Sequence, residues 1–255
     1  MNLHHKISGN GSPVIILHGL FGMLDNWRTI GKMLGEKYQC ILVDLRNHGK
    51  SPHVDDMDYK AMSEDIMDLM SNLQIEKAII LGHSMGGKVA MQFAIEHEER
   101  ISKLIVVDIS PREYPPHHKA EIDAIQALNP SRIKDRSEAE SILRKHLGED
   151  EATIQFLLKN LSRLPEGGFE WKANMPVILD HYDDLMARIK ADQPVNLPTL
   201  FVRGALSDSV KEEDWNEIEQ LFPQAQLVTI ANAGHWVHAD QPGALIDAIF
   251  AFMDS

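Results

Sequence analysis

Apolar runs recur along the chain at Pro13 to Leu17, Gln39 to Asp44, Lys77 to Leu81, Lys103 to Asp108, Thr199 to Arg203 and Gln226 to Ile230. A strand that buries one face alternates apolar with polar residues, so near-continuous Val, Ile and Leu predict strands covered on both sides, as in a parallel sheet. Between these runs, apolar residues fall at helical spacing. Asp25 is placed to cap a helix running to about Lys37, Asp58 or Ser63 one ending near Leu73, and Met85 to His97, Lys211 to Leu221 and Pro242 to Met253 complete the set. Strand and helix in alternation predict an α/β fold, a mostly parallel sheet with helices on both faces. Leu3 to Ser8, followed by Gly9-Asn10-Gly11, predicts an N-terminal strand ending in a hairpin turn.

The alternation stops between Pro111 and Pro198. Helical patterns continue there, broken at Leu128-Asn129-Pro130 and at Leu164-Pro165-Glu166-Gly167-Gly168, but no strand pattern appears. Residues 1–110 and 198–255 are therefore expected to form the α/β core, and residues 111–197 a helical lid inserted over the C-terminal edge of the sheet, where open α/β folds bind ligands.

Charge narrows the partners. Lys and Arg total 25 against 38 Asp and Glu, a net charge of −13, which disfavours nucleic acid and anionic membrane as electrostatically driven partners. Nowhere do 18 apolar residues run together, and Met1-Asn2-Leu3-His4-His5-Lys6 has no apolar core of signal type, so a cytoplasmic protein without a membrane partner is expected. The sequons at Asn10 and Asn160 are then chance matches. The single cysteine, Cys40, allows no internal disulfide and reads as a small buried hydrophobe.

The most informative segment is Gly82-His83-Ser84-Met85-Gly86-Gly87, directly after the apolar run Lys77 to Leu81. In G-x-S-x-G a serine sits at the apex of a strained turn between strand and helix, with its oxygen exposed to substrate. Glycines on either side let strand and helix approach closely. The same residues also fit most of a phosphate-binding loop, since Gly82, Gly87 and Lys88 satisfy G-x-x-x-x-G-K. Position 89 is Val, however, where a magnesium-binding hydroxyl belongs, which sets nucleotide binding aside.

A serine hydroxyl needs a base, and the base a group to orient it. Of 13 histidines, His235 in Asn232-Ala233-Gly234-His235-Trp236 follows the last predicted strand, at the same sheet edge as Ser84. In the chain order Ser, acid, His, both Asp108 and Asp208 qualify. Asp108 could instead tie down the start of the inserted segment, and Asp208 could cap the helix near Lys211. An oxyanion needs preorganised donors. The backbone N–H of Met85 supplies one, and His18-Gly19-Leu20-Phe21-Gly22 the other, from Leu20 with Phe21 next.

Four motifs in order, His18-Gly19, Asp44 to Ser51, the Ser84 turn and Gly234-His235-Trp236, resemble the α/β-hydrolase superfamily across nearly the whole chain. In detail, His18 to Gly22, Arg46-Asn47-His48-Gly49 and Val107-Asp108-Ile109-Ser110-Pro111 look like small bacterial serine esterases active on short acyl esters and some acyl-CoA thioesters. The superfamily's usual acid position holds Ser207 here, a departure, with Asp208 one residue further on. The similar esterases draw the acid from the strand after the nucleophile, which implies Asp108. The resemblance implies a triad of Ser84, Asp108 and His235 and a pocket lined by Phe21, His83, Met85 and Trp236. A small-molecule ester or thioester is the implied substrate, with no cofactor, and the protein a monomer or homodimer. Lyase, perhydrolase, carbon–carbon hydrolase and non-catalytic receptor remain as other uses of the scaffold. No metal-binding spacing such as H-E-x-x-H occurs, and His4-His5 and His117-His118 read as surface residues.

Overall fold

The structure, a computed structural model, describes residues 1–254. Its first half runs β1 (His5–Ser8), β2 (Pro13–Leu17), α1 (Arg28–Leu34), β3 (Gln39–Val43), α2 (Tyr59–Asn72), β4 (Ala78–His83), α3 (Met85–Glu96) and β5 (Ile101–Val107). An insertion follows, with α4 (Lys119–Ala127), α5 (Arg136–Leu147), α6 (Glu151–Leu158), β6 (Leu161–Arg163), β7 (Phe169–Trp171), α7 (Met175–Asp180) and α8 (Tyr182–Met186). The chain then returns to the sheet as β8 (Thr199–Gly204), α9 (Trp215–Leu221), β9 (Ala225–Ile230), α10 (Val237–Asp240) and α11 (Pro242–Met253).

Seven strands form one sheet in the order β1-β3-β2-β4-β5-β8-β9, parallel except for β1. The inner strands β3, β2, β4, β5 and β8 bury both faces, whereas the edge strands do not: β1 is mostly exposed and β9, expected to be covered on both sides, is largely half-buried. In β2, Ile15 and Leu17 join the core beneath α2 and α3, while Val14 and Ile16 join the opposite core with Ile30 and Leu34 of α1 and Leu245 and Ile249 of α11. Cys40 is buried on the latter side, and burial pushes its thiol pKa up to about 11. The strand order reverses at β2 and β4, and a crevice opens beyond the carboxyl ends of strands that diverge in this way.

Three expectations are corrected. The first strand forms no hairpin with the second: β1 runs antiparallel to β3, with His5 opposite Val43. Gly9 and Gly11 serve a crossing instead. With φ of +74° and +111°, they pass so close to Tyr38 and Lys37 that an added Cβ would lie 2.3 Å and 2.7 Å from those residues' carbonyl oxygens. Second, the helix expected from Asp25 to Lys37 is a short 3₁₀ turn at Leu24–Trp27 leading into the shorter α1, and Asp25 pairs with Arg28 and Lys6 without capping it. Third, the insertion contains a small hairpin, β6 with β7, closed through Gly167 and Gly168 at positive φ. Strands of three residues are too short to display a period. For α2 the cap is Asp58, whose carboxylate accepts from Ala61 N–H at 2.7 Å, while Ser63 lies buried inside the helix.

Candidate active site

Ser84 stands between β4 and α3 with φ +52° and ψ −123°, a conformation that residues with a Cβ adopt only when their surroundings enforce it. The enforcement is visible. Its N–H donates to Val107 O on β5 at 3.0 Å, and its carbonyl accepts from Gly87 and Lys88 as α3 begins. A Cβ on Gly82 would lie 2.1 Å from Gly86 O, and one on Gly86 within 2.6 Å of both Leu17 O and His18 O. The flanking glycines are thus required by the close approach of three backbone segments.

Asp108 ends β5, fully buried at φ +51°. One carboxylate oxygen accepts from Gly204 N–H at 2.8 Å. The other lies 2.8 Å from His235 Nδ1 and also accepts from the Ser207 hydroxyl. A carboxylate can only accept, so Nδ1 carries the proton and Nε2 keeps its lone pair. Ser209 Oγ lies 3.0 Å from the same Nδ1. Asp208, the other candidate acid, is exposed, and its carbonyl receives a hydrogen bond from Arg112. The structure therefore brings His235 to Asp108 and leaves the Asp208 carboxylate outside this network. Ser207, in the superfamily's usual acid position, supports the carboxylate that stands in for it.

The turn after β2 closes with Gly22 N–H donating to Gly19 O at 2.9 Å. Phe21 takes φ +57° within it. Neither Leu20 nor Phe21 donates its backbone N–H to a protein acceptor among the described residues, so either amide is free to meet an oxyanion. From the insertion, the fully buried Asn160 donates its side-chain amide to Phe21 O at 2.5 Å. The sequon reading hid this role, and burial rules out glycosylation there.

His83 lines the same cavity as Ser84. It is buried, donates Nε2–H to the carbonyl of His235 at 2.8 Å and so holds that residue's backbone. Burial, then the neighbouring His235 and His238, keeps its pKa well below the usual histidine range. His238 stacks on Trp27 at 4.5 Å, and burial lowers its pKa to about 4. His18 is likewise buried and neutral, with its pKa lowered to about 4 by desolvation. It accepts from Leu45 N–H at 3.0 Å and donates to Gly19 O at 2.8 Å.

Ser84, His235, Leu20, Phe21, Met85 and Trp236 all line one cavity of about 1130 Å³. The insertion contributes its far wall. Phe156 packs against Trp236 at 4.9 Å, and His118, expected at the surface, is half-buried there with Nδ1 2.8 Å from Tyr182 Oη and a pKa lowered to about 3 by burial. Possible metal donors cluster once among the described residues, at Glu64, Glu96 and His97, none of which lines the cavity. Sequence reasoning missed Asn160, Ser207 and Ser209 as parts of the site. Only Ser207, by its place in the usual acid position, carried a signal.

A model of the α/β hydrolase fold matches residues 12–242, and the chain belongs to that family. The chain is 41% identical over 246 residues to the esterase YbfF of Escherichia coli (strain K12), covering 96% of this chain and 94% of that one. It is 39% identical over 247 residues to the sn-1-specific diacylglycerol lipase ABHD11 of Mus musculus, covering 94% and 80%. Among solved structures it superposes on a marine microorganism esterase with a TM-score of 0.96 at 41% identity, covering 98% of both chains.

Proposed function

We propose that the chain is a serine hydrolase of carboxylic esters working through an acyl-enzyme on Ser84, with His235 as base and Asp108 orienting it. The observation that carries the reading is the buried Asp108 carboxylate 2.8 Å from His235 Nδ1, on the same cavity as a serine held in a strained turn. Ser84 Oγ attacks the ester carbonyl and His235 Nε2 takes its proton. Backbone N–H groups of Met85 and Leu20, or of Phe21 beside it, receive the oxyanion; one such donor is worth about 10²-fold to 10³-fold in kcat. Collapse of the tetrahedral adduct returns the proton to the departing alcohol or thiol. Water then repeats the sequence on the acyl-enzyme and releases the acid.

Residues 111–197 act as the lid and select the acyl group. The esterase and diacylglycerol lipase names of the relatives support carboxylic esters as the substrate class, and the size of the cavity admits acyl groups beyond acetyl and acyl-CoA thioesters as well. Within this reading the enzyme works in the cytoplasm as a monomer or homodimer, to be checked by localisation and sedimentation. The decisive experiment is labelling by a fluorophosphonate. Wild-type protein is expected to label, Ser84→Ala to stay blank, and a folded wild type that does not label overturns the mechanism.

A further inference from the structure

Lys88, left unexplained once nucleotide binding is set aside, sits in the first turns of α3, four residues past Ser84, and its own N–H donates to Ser84 O at 3.1 Å. Its side chain is among the largest fully buried ones, 1% exposed. Burial, with Arg112 nearby, lowers its pKa to about 7. An ammonium at this depth requires hydrogen-bond acceptors. All of its hydrogen bonds go to backbone carbonyls: Arg112 at 2.9 Å, Met186 at 3.4 Å, and Ala187. Arg112 lies on the stem that leaves the sheet for the insertion, and Met186 and Ala187 on the stem that returns. The stems also bond to each other, Tyr114 N–H to Met186 O at 2.9 Å and Ile189 N–H to Pro111 O at 2.8 Å.

Around the ammonium lie the rings of Tyr114, 4.9 Å away, and Tyr59, 5.7 Å away. Each extends the connection. The Tyr59 hydroxyl donates to Leu185 O, and that of Tyr114 donates to Ser209 O, beside His235. Packing alone would be served by a methionine of similar length, without the cost of burying a charge. Three donors converging on two separate stems are what an ammonium adds.

We propose that Lys88 is a positioning residue that latches both lid stems to the helix carrying Ser84, so that the lid's register over the serine is set by the nucleophile's own helix. The kinetic half of this rests on the serine hydrolase reading; the structural half does not.

The test compares wild type with Lys88→Met and Lys88→Gln. Native-state hydrogen exchange at the Tyr114 and Ile189 amides is expected to speed up about tenfold or more in both variants, while amides of β2 and β4 keep their rates. With p-nitrophenyl esters, KM for the octanoyl ester is expected to rise about tenfold while kcat for the acetyl ester stays within about twofold, the split expected when binding geometry is lost and chemistry is kept. Wild-type behaviour of the Met variant in either measurement overturns the proposal. If the variants do not fold, the unmodified protein decides: a ¹⁵N spectrum at pH 6 should show Lys88 Nζ protons protected from water, and rapid exchange there overturns it. Should Ser84 prove unreactive to fluorophosphonate, the exchange measurements stand on their own.

Discussion

The turn at Ser84 and the turn at Leu20 and Phe21 lie at the ends of adjacent strands, β4 and β2, and each holds a non-glycine residue at positive φ. They are secured by different means. The Ser84 turn is fixed by main chain alone: a bond to β5, the first bonds of α3, and contacts so close that Gly82 and Gly86 admit no side chain. The Leu20 turn has one internal hydrogen bond and borrows the rest, from His18 at its start and from Asn160 of the insertion. Ser84 and the Met85 amide that follows it are thus built into the sheet and its helix, whereas the Leu20 turn depends in part on a bond from the insertion.

The largest effect is expected on the sheet-built side. Asp108→Asn leaves the His235 ring with the wrong tautomer and is expected to lower kcat about 10⁴-fold, while Asp208→Asn, on an exposed loop, stays within about twofold by the same steady-state assay. The reverse pattern would move the acid to the loop and remove the strand from the account.

Acid tests both turns, since each adjoins a buried histidine, His18 or His83. The folded pKa values of His18 and His48, about 4 and about 3, lie below the usual 6.5 because burial disfavours the charged ring. Between those values the unfolded chain binds more protons than the folded one, so stability is full above about pH 6.5 and falls as pH drops through 5 toward 3. A tenfold difference in proton affinity between the two states is worth about 1.4 kcal/mol, so His18 alone costs about 3 kcal/mol once the pH has fallen to its folded pKa. Urea unfolding between pH 7 and 4 checks the sign, with the buried His83 beside Ser84 loading the other turn in the same direction.

The smallest effect sharpens the contrast. Asn160→Ala unties Phe21 O without touching the Ser84 turn; kcat is expected to fall about tenfold, less than loss of an oxyanion donor itself, with fluorophosphonate labelling still complete at long times. Equal loss of labelling and turnover would mean that the two turns are coupled.

The same division decides what could be read from the sequence. The strands, the Ser84 turn, His235 and the two candidate acids are announced by local pattern, because backbone register alone carries them to one sheet edge. Choosing Asp108 over Asp208 needed the resemblance to esterases, since nothing local tells which carboxylate meets an imidazole 127 residues away. Asn160 and Lys88 act through contacts made across the fold, and each lay inside a familiar motif, a sequon and a phosphate loop, that drew attention elsewhere. Where β1 pairs was equally hidden, because Gly9 and Gly11 suit a hairpin turn as well as the crossing they make.

The burial of Cys40 has a practical side. A chain with one thiol, sealed in the core and protonated far above neutrality, is silent toward maleimide dyes. A cysteine introduced at exposed Lys134, in the insertion, would therefore be the sole reactive handle, ready for distance reporting by fluorescence or spin label without first stripping the native sulfur away.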